Sequence, residues 1–192
     1  MLFSSQVFLW FFLPLAFLLY FTVPGLKIKN TVLLLFSLFF YAWGEPRYIV
    51  LMVVSICLNY IFGLVIDKIR GNRKLQTGLL WICAAVNLCL LGYFKYFNFF
   101  MQLGNRLLGG EVLAYRDIAL PIGISFYTFQ AMSYVIDVWR GENKAQKNLW
   151  NLALYISFFP QLIAGPIVKY HDIERQLTDR KTDLSGFCYG IK

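Results

Sequence analysis

Residues 48–66 run for nineteen positions without one charged side chain, and this run constrains the fold more than any other feature of the sequence. A helix crossing the hydrocarbon core of a bilayer needs about 20 predominantly apolar residues, whereas a surface helix of a soluble protein alternates an apolar with a charged face. The run is one of six. Apolar blocks at 7–23, 31–43, 48–66, 77–94, 118–138 and 149–168 are set off by charged residues, Gly or Pro. They predict an all-α, polytopic transmembrane helical bundle of about five spans plus a broken or re-entrant sixth segment. Composition agrees: 59% of residues are apolar, 19% aromatic and only 15% charged, which an ordinary soluble domain does not match.

The third, fourth and fifth blocks reach spanning length easily, and the first is adequate. The first also lacks a charged leader and a small-x-small cleavage site, so it reads as a retained span rather than a signal peptide. The thirteen residues of the second block would cover only about 20 Å of helix. Local bilayer thinning, a tilted neighbour or anchoring by Tyr41 and Trp43 is therefore expected there. Pro160 and the pair Gly165-Pro166 interrupt the sixth block. Its unbroken part, residues 149–159, spans about 16 Å, half a hydrocarbon core, so entering and turning back fits as well as crossing. Non-helical backbone at that depth persists only when buried in protein or lining a wet cavity.

The net charge of +8 follows the gaps between blocks. Lys27 and Lys29 follow the first block, Lys68, Arg70, Arg73 and Lys74 the third, and Arg140, Lys144 and Lys147 the fifth. The alternate gaps carry less net charge: Glu45 against Arg47, and Arg106, Glu111 and Arg116. This is the positive-inside pattern, with the N-terminus outside, and no basic face suited to nucleic acid is formed. The four cysteines, Cys57, Cys83, Cys89 and Cys188, have no CxxC spacing, and three lie in apolar segments where a thiol packs as a small hydrophobe. No metal, disulfide or bound cofactor is implied.

The polar residues inside the fifth block carry most of the chemical information. At 100° per residue Tyr127, Gln130, Ser133, Tyr134 and Asp137 fall in one sector of about 120°. Such a stripe must face the bundle or a water-filled cavity. Interhelical hydrogen bonding and the lining of a substrate channel both account for it. Asp137, three residues before Arg140, is expected to form an interfacial ion pair that locks the helix end. Lys95 and Asn98 lie in an aromatic belt formed by Tyr93, Phe94, Tyr96, Phe97, Phe99 and Phe100, with Lys95 snorkelling. The lone histidine, His171, is the residue type that serves as general base near neutral pH. It lies outside the apolar blocks with no nucleophile at a meaningful spacing, so it is not assigned catalysis.

Beyond residue 168 the charge alternates through Asp172, Glu174, Arg175, Asp179, Arg180, Lys181 and Asp183, with Ile173 and Leu177 as an i, i+4 apolar stripe. A surface amphipathic helix and a solvated loop are expected. Phe187, Cys188, Tyr189 and Ile191 then begin a further apolar pattern just before Lys192, as expected of a piece of a longer chain.

Three stretches carry a family resemblance: LPIGISFYTFQ at 120–130, YVIDVWRG at 134–141 and FFPQLIAGPIV at 158–168. They resemble the membrane-bound O-acyltransferase family, in the bacterial branch that acetylates alginate and cell-wall polymers. The opening MLFSSQVFL, the YAW at 41–43 and LGYFKYFNF at 91–99 fit that branch as well. The resemblance implies that residues 1–192 are the N-terminal part of one multi-span acyltransferase domain in a bacterial plasma membrane. It also implies transfer of an acyl group, usually acetyl, from a donor on the inner side to hydroxyls of an exported polysaccharide, with an extracytoplasmic transferase partner. The family histidine sits in a W-H-G-type motif that this sequence does not contain. The resemblance places that histidine beyond Lys192, and His171 does not replace it. A chain of this extent is therefore expected to be inactive alone. On this resemblance the polar stripe and Phe159, Pro160, Gln161, Gly165 and Pro166 would help build a tunnel wall. The alternative for the two prolines is that they merely end helices. Two other functions stay open, a transporter or flippase and a non-catalytic structural subunit of an envelope complex. The absence of an internal repeat counts against the first.

Overall fold

Proline and glycine decide where most of the helices begin and end. The computed structural model describes residues 5–110, 113, 118–164 and 168–180, and these form helices with no strand among them. The chain opens with a π-helical turn, Phe8–Phe12, that runs directly into α1, Leu13–Thr22. The wide turn has a cause in Pro14, in the first turn of α1. A proline cannot donate to the carbonyl four residues back and its ring crowds that carbonyl. The Leu13 N–H reaches instead to the Phe8 carbonyl, five residues back. Val23, before Pro24, is extended, and Gly25, at φ 77°, starts the next helix.

That helix, α2 (Leu26–Gly44), has 19 residues, or about 28 Å. The shortness expected of the second block does not materialise, because the helix takes in Lys27, Lys29 and Asn30 before its apolar part begins. α3 (Ile49–Lys68) has 20 residues. α4 (Arg73–Leu107) has 35 and runs through the aromatic belt, about 52 Å in all. The side chain of Asn72 caps α4 by accepting from the Leu75 N–H at 3.2 Å. Asn98 bonds both backbone groups of Ile118, at 2.8 and 3.0 Å. Lys95 lies over the Tyr96 ring.

α2, α3 and α4 are long and apolar enough to cross a membrane, and the helix from Phe8 to Thr22 is apolar but shorter. α5 (Ile124–Arg140), with 17 residues, falls below that length although its block reached it. Pro121 and Gly123, the latter at φ 76°, delay the start of helix, and Gly141 at φ 81° ends it.

The sixth block is broken as expected, but at Phe158. α6 (Leu149–Ser157) stops there and α7 (Phe159–Ala164) begins. Pro160 therefore does not end a helix; it occupies the first turn of one, where its missing N–H would have no partner anyway. α8 (Tyr170–Thr178) is the expected amphipathic helix, with Tyr170 and Leu177 buried and Ile173 packed on the core. The apolar pattern that the sequence begins at Phe187 and carries to Lys192 lies outside the described residues.

α5 packs most extensively against α3 and α4, and α6 against α2 and α3. At one point the approach of α3 to α5 leaves no room for a side chain. A Cβ at Gly63 would lie 2.6 Å from the Tyr134 hydroxyl and 2.7 Å from its ring. Between α3 and α4, Asn59 and Asn87 exchange amide hydrogen bonds at 3.0 and 3.1 Å in a buried site. A separate cluster of Phe8, Phe12, Phe40 and Phe159 fastens α7 to the first two helices, with Phe12 and Phe159 edge-to-face at 5.4 Å.

The three basic gaps gather at one end of the bundle. Arg70 donates to the Asn143 carbonyl at 2.8 Å, and Arg73 donates to the Trp139 carbonyl while its guanidinium covers the Trp139 ring. Asn30 donates to the Leu177 carbonyl at 2.8 Å, and Gln146 to the Tyr170 hydroxyl at 2.7 Å. The last contact joins residues on either side of α6 and α7, so the chain enters and leaves this broken segment at the same end. The outer surface is strongly apolar, with Trp10 75% and Trp81 71% exposed.

Candidate functional site

The polar stripe of α5 faces inward. Tyr127, Gln130, Tyr134 and Asp137 are buried and Ser133 is half-buried. The broken segment supplies the partners for its middle. Gln130 Nε2 donates to the Tyr155 carbonyl at 2.9 Å, close to the end of α6, and to Gln161 Oε1 on α7 at 3.2 Å. The Ser133 hydroxyl donates to the Gln130 carbonyl at 2.9 Å and lies 3.4 Å from the Tyr155 hydroxyl. Tyr155 in turn donates to the Val168 carbonyl at 2.7 Å. Side chains from α5, α6 and α7 thus form one seam, and its cause is the break at Phe158. A broken helix leaves backbone carbonyls without intrahelical donors, and in an apolar setting those carbonyls need side-chain partners.

Towards the basic end the seam becomes a cluster of three buried tyrosines. Tyr134 and Tyr155 each meet Tyr170 edge-to-face with ring centroids 5.1 Å apart. The Tyr134 hydroxyl accepts from the Gln146 N–H at 3.0 Å. Burial pushes the Tyr170 phenol well above its ordinary range, so it stays neutral and accepts from Gln146. At the other end Tyr127 stands edge-to-face with Tyr41 of α2 at 6.3 Å. The hydroxyls of Tyr41, Tyr127 and Thr128 are buried with no hydrogen-bond partner among the described residues. The Tyr41 and Tyr127 hydroxyls face one another, which leaves the Thr128 hydroxyl as the buried group here that most needs a further partner.

The expected Asp137–Arg140 pair is not formed. Arg140 pairs instead with Glu142 at 3.7 Å, while Asp137 Oδ2 is buried with no partner among the described residues. The reason lies at the helix end: Gly141 in the left-handed conformation turns the chain so that Glu142 comes beside Arg140. Asn143, with its amide oriented to satisfy both sides, donates to the Glu142 carbonyl at 2.9 Å and accepts from the His171 backbone N–H at 3.1 Å. His171 therefore joins the start of α8 to the end of α5.

Of the other expected positions, Gln161 is in the seam. Phe159 is in the aromatic cluster instead, its N–H donating to Ser37 Oγ at 3.3 Å, and Pro160 is exposed on the far side of α7. Gly165 and Pro166 lie outside the described residues. So does Lys192, beyond which the resemblance places the family histidine. The sequence reading missed Tyr155, Tyr170 and Gln146, and it took Tyr41 for an interfacial anchor like Trp43, whereas Tyr41 is buried against Tyr127 and Trp43 is exposed. Each supplies part of this environment from a different stretch of chain; Tyr41 and Tyr155 could have been suspected as polar tips within apolar blocks, but nothing local marks Gln146 or Tyr170.

Fold and site together define a class: an all-helical integral membrane bundle with a buried polar seam built on a broken helix. Comparison with known proteins narrows it. Over 99% of its length the chain is 40% identical to the probable alginate O-acetylase AlgI of Azotobacter vinelandii and 39% identical to that of Pseudomonas aeruginosa. Over 97% of its length it is 33% identical to a peptidoglycan O-acetyltransferase of Helicobacter pylori. The chain spans 37–40% of the length of these relatives. No protein-family model and no solved structure matches it. The resemblance carried by the motifs at 120–141 and 158–168 is thus borne out by homologues along nearly the whole chain.

Proposed function

We propose that the protein carrying this chain is a membrane O-acetyltransferase that moves an acetyl group from a donor on the inner side to hydroxyls of an exported polysaccharide. One observation carries the reading: relatives named for O-acetylation of alginate and of peptidoglycan align along nearly all of the chain. The two acceptors differ, but both are polymers outside the plasma membrane, so the shared chemistry is acetyl transfer to an external hydroxyl. In this reading the chain contributes about five spans, with the N-terminus outside and the basic gaps inside. α6 and α7 form a re-entrant element, which the return of the chain to the basic end supports. An extracytoplasmic transferase would complete the transfer.

The part of this region is to shape a passage rather than to move protons. The seam from Gln130 to Gln161 closes the Tyr155 carbonyl freed by the break at Phe158, and the buried hydroxyls of Tyr41, Tyr127 and Thr128 continue its polar line towards α2. Gly165 and Pro166 belong to the same proposed wall. No residue of this chain is assigned catalysis, and no bound cofactor is needed by the chain.

The test is acetyl transfer in bacterial membranes expressing the complete gene, with alginate, peptidoglycan and teichoic acid assayed as acceptors. Transfer to one of them is expected, with Gln130→Leu lowering it severalfold at unchanged protein level. No transfer to any of the three would end the proposal, and substrate transport without acetylation would favour the transporter reading.

A further inference from the structure

Outside the seam, the first helix, α2 and α7 leave a groove of about 580 Å³ between them, walled by Phe8, Ala16, Leu33 and Pro160 and closed at one end by Tyr20 and Arg180. The wall is apolar and the closed end is cationic. Arg180 Nε donates to the Tyr20 hydroxyl at 2.9 Å, and its terminal nitrogen donates to Asn30 Oδ1 at 3.1 Å. Lys29 stands over the same Tyr20 ring, with Nζ 5.0 Å from its centroid. Among the described residues no carboxylate lies within 4 Å of either cation, since the ion pairs found are Asp67–Arg70 and Arg140–Glu142. Arg180 is thus fixed in place by two neutral acceptors. A guanidinium has five N–H donors, so most remain for an anion.

We propose that this groove binds an anionic phospholipid, with its phosphate at Arg180 and Lys29 and an acyl chain along the first helix. Three features fit this occupant. From Phe8 to Tyr20 the helix extends about 18 Å, slightly more than the roughly 15 Å of hydrocarbon in one leaflet. The cationic end lies with the three basic gaps, at the end of the bundle where headgroups meet water. The preorganised guanidinium presents charge-assisted hydrogen bonds to a phosphate, and a headgroup of net negative charge suits this doubly cationic end better than a zwitterionic one, whose own ammonium is repelled by Arg180 and Lys29. Such a lipid would also hold the arm after α8 against α1 and α2, because Arg180 would bond phosphate, Tyr20 and Asn30 at once. The site is separate from the polar seam, so it stands or falls independently of acetyl transfer.

The test uses the protein from the complete gene in nanodiscs of phosphatidylcholine containing a minority of phosphatidylglycerol, with retained lipid counted by native mass spectrometry. A preference for phosphatidylglycerol is expected in the wild type. Arg180→Gln should weaken retention by about tenfold, the loss expected for a charge-assisted hydrogen bond, and Arg180→Lys should restore part of it. Leu33→Trp, which fills the groove and leaves the cations in place, should also displace the lipid. Equal retention of the two lipids by the wild type overturns the proposal, as does a preference that neither Arg180→Gln nor Leu33→Trp alters. So does failure of the complete protein to retain either lipid, the result expected if its own chain covers the groove.

Discussion

Gly63 and Tyr134 show how much one residue decides in this bundle. Glycine in a helix interior ordinarily costs about 1 kcal/mol relative to alanine, so Gly63→Ala would stabilise an isolated α3. In the protein the new methyl would press on a tyrosine that is fully buried, bonded to the Gln146 N–H and packed on Tyr170. Tyr134 has no free direction in which to yield, and overpacking of this kind costs about 1–3 kcal/mol. The expected outcome is a net loss of thermal stability, relieved in part when Gly63→Ala is combined with Tyr134→Leu, as a double-mutant cycle would measure. At the same scale, the α5 stripe was legible because a 3.6-residue period and the cost of burying polar groups in lipid both point inward. Its partners were not: nothing local says that Tyr155 and Tyr170, on other helices, complete it. Asp137 was misread for a related reason. Spacing made Arg140 its nearest cation along the helix, but the left-handed Gly141 delivers Glu142 to Arg140 first. In the seam, Tyr155→Phe removes the donor to the Val168 carbonyl and leaves the Gln130 bonds in place. In the complete protein it is expected to lower acetyl transfer less than Gln130→Leu, and rates from the two membrane preparations check the order.

For whole helices, hydropathy located the elements and mislaid their ends. The second block was apolar over thirteen residues, while α2 is 19 residues long. Apolarity reports where hydrocarbon begins, and a helix can run on into the interface with lysines in its first turn. The fifth block erred the other way, since Pro121 and Gly123 keep its first residues out of α5. Pro160 was weighed as a breaker, yet proline in the first turn marks a beginning. Between elements, α3 and α4 depend on a contact that the sequence hides, because Asn59 and Asn87 look like isolated polar interruptions of apolar runs. Asn87→Leu removes both reciprocal bonds and leaves the Asn59 amide short of partners in a buried site. A loss of about 1 kcal/mol is expected, between the values typical of membrane helix pairs and of buried unsatisfied groups. Thermal unfolding in detergent, with Asn59→Leu/Asn87→Leu as the matched apolar control, checks it. The double variant should recover part of the loss, because no unpaired amide remains.

Across the whole molecule, charge in the gaps and geometry in the bundle make the same statement by independent routes. Positive-inside counting put the gaps near Lys29, Arg70 and Lys144 on one side of the membrane. Hydrogen bonds from Arg70 to the 143 carbonyl, from Asn30 to the 177 carbonyl and from Gln146 to Tyr170 bring these gaps together at one end. The segment between Gln146 and Tyr170 thus begins and ends at that end of the bundle, and α8 starts there. The proposed re-entrant reading of α6 and α7 accords with the 2.7 Å contact between Gln146 and Tyr170. The proposed orientation therefore has a sharp consequence for labelling. In the complete protein with Cys57, Cys83, Cys89 and Cys188 replaced by Ala, single cysteines at Lys29, Lys144 and Asp172 should resist a membrane-impermeant maleimide added to intact cells, and react once the membrane is opened. A cysteine at Arg47 should react in intact cells. Reaction of Asp172→Cys alone from outside would make α6 and α7 a crossing and separate α8 from the basic end. Reaction of all three inner positions from outside, with Arg47→Cys protected, would keep the bundle and invert it, and the acyl donor would then have to be sought on the opposite side.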